Sequence, residues 1–153
     1  MLSTFAQPRL HAFTGAPHVT RTVLLWHSDI PPEAGLGGPH FDWLLEREHA
    51  TKLIAFRLWD RPDSVQCTGF EAERLTDHRP EYLDYQGPVR GNRGRVERLA
   101  QGVCLSLAES PDRLEAACIF DATPHLSHSF FGQPAQGGRW QFVCRVLPRA
   151  NFR

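Results

Sequence analysis

Two acid–base side chains stand two positions apart in the first third of the chain. His40 and Asp42 flank Phe41 within the run HFDWLLE at positions 40–46, which is otherwise mainly apolar and aromatic. If this run is a β-strand, the imidazole and the carboxylate point from the same face, because side chains alternate along a strand. Both groups are costly to bury unless a partner satisfies them, and a shared metal ion is one such partner. The spacing therefore indicates a metal site.

A third ligand is available at the end of an earlier apolar run, VLLWH at positions 23–27. Together His27, His40 and Asp42 form a set of two histidines and one carboxylate. Such a set suits Mn²⁺, Fe²⁺ or Zn²⁺ and leaves coordination positions open for substrate or water. A histidine at a strand end is often structural or solvated, and His-x-Asp triplets also arise by chance, so spacing alone leaves a structural role open.

The second candidate segment is DHRPEY at positions 77–82. His78 and Tyr82 stand beside the turn-prone pair Arg79-Pro80, where polar side chains can reach a cleft. An imidazolium and a phenol hydroxyl both donate hydrogen bonds to an anionic oxygen, so the pair predicts a phosphate pocket. The alternative is a capped turn that carries a surface histidine.

A basic stretch follows, with arginines at positions 90, 93, 95 and 98 and glycines between them. The glycines allow the main chain to come close to a phosphate, which makes Arg90, Arg93 and Arg95 possible nucleic-acid contacts. The alternative is the solvated face of a strand or hairpin.

Length, charge and cysteine usage limit the classes of protein. A chain of 153 residues suits one domain, and 17 basic residues balance 17 acidic ones, which argues against a protein that coats nucleic acid. The four cysteines are far apart, which excludes a zinc knuckle and is typical of reduced thiols in a cytosolic protein. No apolar run resembles a signal peptide or spans a bilayer, so a cytoplasmic protein without membrane contact is expected.

The elements that must position these side chains are short β-type runs separated by turns rich in Gly, Pro and Asn. This pattern favours an all-β barrel or sandwich over a helical fold. Residues 1–20 are expected to form a flexible arm or a loosely attached strand, and residues 21–153 the domain. Residues 70–75 suit either a strand or a short helix. The predicted strands are Thr22–His27, His40–Arg47, Lys52–Trp59, Arg95–Ala100, Val103–Ala108, Arg113–Phe120 and Arg139–Leu147.

These segments, taken in order, resemble the 3′-phosphoesterase domain of bacterial ATP-dependent DNA ligase D. HFDWLLE at 40–46 is similar to that family's HYDFRLE, and DHRPEY at 77–82 is similar to its DHPLEY, with the same spacing from His to Tyr. YQGP at 85–88 and the glycine-rich residues 91–96 are similar to its next conserved stretch. The resemblance covers about residues 21–100 well and the C-terminal strands loosely.

The resemblance implies a compact, mainly antiparallel β-barrel, with at most one or two short helices, that trims DNA 3′ ends. The family removes a 3′-terminal ribonucleoside and then the remaining 3′-phosphate, using Mn²⁺ or a similar ion. For this chain Mn²⁺ is expected, with Zn²⁺ or another transition metal as alternatives. Carried over, His27, His40 and Asp42 bind the metal, while His78 and Tyr82 are catalytic groups that face the phosphate. The implied partners are DNA 3′ ends and proteins of DNA end joining.

The chain also departs from the family pattern. Leu44 stands where the family has an arginine that helps to clamp the phosphate, and the loop Ser28–Pro39 lengthens the gap between the two metal histidines. An arginine within residues 90–98 is one candidate replacement. Three alternatives stay open: an active phosphoesterase, a non-catalytic relative that binds DNA ends, a metal or a repair partner, and an unrelated metal-binding barrel acting on a small phosphate ester.

Overall fold

The computed structural model describes residues 19–150, which form one large antiparallel sheet that closes on itself. Strands make up 55% of the structure and helix 8%. The helical residues of the described range are three short 3₁₀ turns, at Pro32–Ala34, Pro80–Leu83 and Gln136–Gly138. The all-β, mainly antiparallel prediction is therefore confirmed. The strands are β1 Thr20–Ser28, β2 His40–Leu45, β3 Ile54–Leu58, β4 Gly69–Arg74, β5 Gly87–Pro88, β6 Arg95–Ser110, β7 Arg113–Phe120, β8 Leu126–Pro134 and β9 Arg139–Pro148.

Strand pairing runs in the order β1-β2-β3-β4-β9-β8-β7-β6-β5, and an additional pairing between β1 and β6 closes the ring. Closure removes the exposed sheet edges that an open sheet of this size would carry. The long strand β6 pairs with β1 and with β7, and Gly102 lies opposite both Thr22 and Phe120. A Cβ atom at this position would overlap the Ile119 carbonyl, so the close approach of β6 to β7 here requires glycine.

The closed sheet has an apolar cluster on each face. The larger cluster fills the interior around Trp43, Phe56 and Phe142, which are fully buried. The smaller cluster lies on the other face of the sheet, and Tyr82 and Leu83 of the second 3₁₀ turn pack into it. Because β2 is buried on both faces, its alternate residues enter different clusters. The members of the smaller cluster are Val23, Leu25, Leu44, Leu53, Ala55, Leu83 and Val96.

Most predicted strands match the structure to within a few residues. Arg95–Ala100 and Val103–Ala108 are parts of the single strand β6, and residues 70–74 belong to a strand, β4, rather than a helix. Strand β8 was not predicted. Its buried positions are His128, Phe130 and Gly132, so the apolar alternation that marks a strand is weak there.

The remaining expectations concern the termini, the thiols and the membrane. Residues 1–18 of the expected arm lie outside the described residues, and Thr20 already belongs to β1. Three of the free cysteines are buried, at positions 104, 118 and 144, as expected of inert thiols. Within residues 19–150, no helix has the length and apolar character needed to cross a membrane.

Candidate metal centre

Strand register brings the three predicted metal ligands together. His27 near the end of β1 lies directly opposite His40 at the start of β2. Two residues further along β2, Asp42 lies opposite Leu25 on one side and Arg57 of β3 on the other. Directly opposed residues share a face of an antiparallel sheet, so all of these side chains project on the side of the smaller apolar cluster.

The side chains of His27, His40 and Asp42 converge closely. His27 Nδ1 is 3.3 Å from Asp42 Oδ2, and His40 Nε2 is 3.3 Å from Asp42 Oδ1. One ligand atom from each residue lies within 4.8 Å of the other two, and all three residues are buried. The grouping expected from the sequence is therefore present, and the group could hold a divalent metal ion. That it does so stays a prediction.

The hydrogen bonds of the two histidines orient their free nitrogens toward Asp42. His27 Nε2 is 2.6 Å from the carbonyl oxygen of Arg93, and His40 Nδ1 is 2.8 Å from that of Gly38. A carbonyl only accepts, so these nitrogens donate, and in the neutral rings the lone pairs of the other two nitrogens face the carboxylate. Acceptors that face each other need a proton or a cation between them. Backbone carbonyls commonly orient metal-binding histidines in this way.

A buried oxygen supports the same interpretation. Asp42 Oδ1 is buried and has no hydrogen-bond partner among the described residues. A buried carboxylate oxygen without a partner is costly, and a metal ion held with the two histidines would satisfy it. The donor set therefore fits a divalent cation.

The carboxylate of this group stays ionised. Burial alone would raise the pKa of Asp42, but the adjacent His27 and His40 rings lower it to about 2. For His27, burial lowers the pKa, but the nearby Asp42 carboxylate and the Arg93 carbonyl outweigh this effect and raise it above its ordinary value. The group thus carries one fixed negative charge that attracts either a proton or a metal ion.

One cavity of about 670 Å³ joins this group to the second candidate segment. His78 and Tyr82 line it together with His27, His40 and Asp42, and the rings of His78 and Tyr82 are 5.8 Å apart. The backbone of His78 exchanges two hydrogen bonds with Leu53 just before β3, which fixes the segment to the sheet. Its Nδ1 lies 2.9 Å from the carbonyl of Thr76 and donates to it, so Nε2 is available to a ligand.

The three arginines predicted to contact nucleic acid differ in whether they line the cavity. Arg90 and Arg93 line the cavity, and both are exposed. Arg95 is exposed at the start of β6, where it pairs with Ser28, and it is not among the residues that line the cavity. Its proposed role as a nucleic-acid contact stays a prediction.

Sequence reasoning missed one charged residue of the cavity, Arg57. The signal was a single charge between Phe56 and Leu58 in the apolar run LIAFRLW. Leu44, which stands at the position of the family arginine, is fully buried in the smaller apolar cluster.

No protein-family model matches this chain, and a search of curated proteins finds no match. The resemblance to the ligase D phosphoesterase domain therefore rests on the motifs alone, and it enters the functional argument only as a proposal.

Proposed function

We propose that this protein is a metal-dependent phosphoesterase that processes nucleic-acid 3′ ends, removing a 3′-ribonucleoside and a 3′-phosphate in DNA repair. One observation carries the proposal: a single cavity holds the His27–His40–Asp42 group together with His78 and Tyr82. The residues from positions 27–42 and those from positions 78–82 thus line the same cavity, although they are far apart in the sequence. The proposal includes a cytoplasmic location and DNA end-joining proteins as partners.

Three ligand atoms would hold the metal ion: His27 Nδ1, His40 Nε2 and a carboxylate oxygen of Asp42. A set of imidazoles with one carboxylate suits Mn²⁺, with Zn²⁺ or another transition metal as alternatives. When bound, such an ion supplies Lewis-acid polarisation of a phosphoryl oxygen or a bound water.

The other side chains of the cavity act on the phosphate. His78 Nε2, when protonated, and the hydroxyl of Tyr82 donate to phosphoryl oxygens and stabilise the charge that develops there. Arg90 and Arg93 add positive charge at the walls. A volume of about 670 Å³ lies in the range of small-molecule sites, which suits a terminal nucleotide better than a continuous duplex.

A variant of His78 tests the assignment. We expect His78→Ala to lower turnover of a primer ending in a 3′-phosphate by about 10²–10³-fold, because a preorganised donor to the phosphate is lost. Mn²⁺ affinity, measured by calorimetry, should stay nearly unchanged because His78 is not a ligand. Unchanged turnover would remove His78 from the mechanism.

The second candidate function is a non-catalytic module that binds DNA ends or a metal. The observation that favours it is Leu44, whose burial leaves no cation at the position where the family has its clamp. The same assay on the unmutated protein separates the two functions. A primer with a single 3′-ribonucleotide that is bound in the presence of Mn²⁺ but never cleaved would favour the binding module.

A further inference from the structure

We propose that Arg57 binds an anion in this cavity and takes the place of the missing clamp. The inference rests on the proposed function for its substrate, a phosphate at a nucleic-acid end. It names a residue outside the basic stretch at positions 90–98, and it makes a prediction about anion binding that does not depend on turnover.

The position of Arg57 follows from strand register. Arg57 lies on β3 directly opposite Asp42, on the same face of the sheet, and lines the cavity. Leu44, two residues beyond Asp42 on β2, lies opposite Ala55 and is enclosed by apolar neighbours. Strand β2 therefore lacks the positive charge of the family clamp. Arg57 on the neighbouring strand β3 supplies a positive charge beside the candidate metal ligands.

The guanidinium of Arg57 is only partly satisfied by the protein. Its Nε atom is buried and has no hydrogen-bond partner among the described residues. Within residues 19–150 its one ion pair joins Nη1 to Glu73 Oε1 at 3.6 Å, a long contact with a half-exposed carboxylate. Asp42, although opposite in register, directs its oxygens to His27 and His40 instead.

A charged group with an unpartnered donor is costly to bury, and an anion in the cavity that pairs with the guanidinium would offset part of that cost. A guanidinium presents its donors in a planar fork that matches two oxygens of a phosphate.

The other arginines of the cavity differ in ways that favour Arg57. The side chain of Arg57 is 19% exposed, whereas that of Arg79 is 52% exposed and lies 3.9 Å from Glu81. Arg93 is exposed and donates from its Nε to the carbonyl of Arg90. A desolvated cation binds an anion more strongly than a solvated one, because water screens the exposed charges.

Orthophosphate is the probe for the first test, with binding measured by calorimetry in the presence and absence of Mn²⁺. We expect Arg57→Gln to weaken orthophosphate binding by about 10- to 100-fold, the effect of losing a charge-assisted hydrogen bond. Arg57→Lys should recover part of this loss, because it keeps the charge but not the fork. Mn²⁺ affinity should not fall in either variant. Orthophosphate binding to Arg57→Gln at the strength of the unmutated protein would overturn the inference.

Two further variants separate anion binding from a structural role. Glu73→Gln removes the ion pair that Arg57 makes within residues 19–150, so it should bind orthophosphate at least as well as the unmutated protein. If it instead reproduces the loss seen in Arg57→Gln, the residue acts only through that ion pair and the inference fails. Arg113→Gln, at the start of β7 and paired with Glu115, removes the same charge away from the cavity and should leave binding unchanged.

Turnover measured beside binding distinguishes this inference from the proposed function. On a primer ending in a 3′-phosphate, Arg57→Gln should lower kcat/KM by about 10- to 100-fold. If the unmutated protein binds orthophosphate through Arg57 but cleaves no 3′ end, the inference stands and the proposed function fails. If it cleaves 3′ ends and Arg57→Gln cleaves and binds equally well, the proposed function stands and the inference fails.

Discussion

At the scale of single residues, the candidate metal centre depends on one carboxylate placed between two imidazoles. Asp42 is the anionic member of the group, and each of its oxygens lies 3.3 Å from a histidine nitrogen. The ring nitrogen of each histidine that faces away from Asp42 donates a hydrogen bond to a main-chain carbonyl, which fixes the ring orientation. The arrangement resembles a preorganised ligand set more than a chance contact of polar groups.

We expect Asp42→Asn to reduce Mn²⁺ affinity by at least about 100-fold, because the neutral amide removes the anionic ligand. Calorimetric titration of the purified variant measures this directly. Asp77→Asn is the matched control: Asp77 lines the same cavity, but its carboxylate is paired with Arg47 and Arg74. Equal affinity of the two variants for Mn²⁺ would mean that the metal binds elsewhere.

Protons would compete with a bound metal ion for His27. Its pKa is raised above the ordinary value of 6.5, so in the metal-free fold the imidazolium persists to higher pH than in the unfolded chain. This contribution to stability is complete below about pH 6.5 and is lost as pH rises through the raised pKa. A bound cation requires the neutral ring, so its effect must follow the opposite trend.

We therefore expect Mn²⁺ to raise Tm little at about pH 5.5 and clearly more at about pH 7.5. Scanning calorimetry with and without Mn²⁺ at the two pH values checks this. The Asp42→Asn variant serves as the control and should show no such pH-dependent rise. A rise in Tm that is the same at both pH values would contradict the assignment of His27 as a ligand.

At the scale of elements, the turn before β6 supports the candidate metal centre. Arg93 supplies the carbonyl that orients His27, and Gly94 follows with a φ of +89°. A Cβ atom at Gly94 would overlap the carbonyl of Ser28 and lie 3.3 Å from His27 Nε2. The turn therefore sits against the end of β1, and its backbone conformation requires glycine.

We expect Gly94→Ala to lower both the free energy of unfolding and Mn²⁺ affinity, because the new methyl group displaces the turn that holds His27. Gly91→Ala is the control, since Gly91 also has a positive φ, of +75°, but its Cβ would meet only the Arg93 side chain, at 3.6 Å. The control should lose about 1–2 kcal/mol from backbone strain and keep its Mn²⁺ affinity. Urea unfolding and calorimetric titration of both variants decide the matter, and unaltered metal affinity in Gly94→Ala would show that the turn does not position His27.

At the scale of the whole molecule, Trp43 links distant parts of the closed sheet. Its ring is fully buried and packs against Phe56 of β3, Phe70 of β4, Phe130 of β8 and Phe142 of β9. It follows Asp42 on β2, so it points into the interior while Asp42 points toward the cavity. Strand β2 thus contributes side chains both to the apolar core and to the candidate site.

We expect Trp43→Ala to lower the free energy of unfolding by about 3–5 kcal/mol, the usual effect of emptying a large aromatic site. Trp59→Ala is the control, because Trp59 is 45% exposed and its ring lies under the Arg139 guanidinium, so its loss should stay below about 1 kcal/mol. Chemical denaturation followed by circular dichroism compares the two. Similar losses in both variants would mean that Trp43 does not organise the interior.

The sequence alone determined the local features of this protein. Alternation along HFDWLLE placed His40 and Asp42 on one face, because side-chain direction in a strand depends only on position. Frequent turn residues between short apolar runs predicted an all-β fold for the same local reason. Strand β8 was not predicted because its inward-facing positions include His128 and Gly132 and so lack a clear apolar alternation. Gly132 lacks a side chain where the ring of Phe142 fills the space.

Only the tertiary structure decided which residues meet across strands. The pairing of β1 with β2 placed His27 opposite His40, and the pairing of β2 with β3 placed Arg57 opposite Asp42. The sequence pointed to an arginine within residues 90–98 as the replacement for the phosphate clamp. In the fold, the least exposed arginine that lines the cavity is instead Arg57 on β3. Register between strands depends on the packing of both faces of the sheet and on the closure of the ring, which local patterns do not encode.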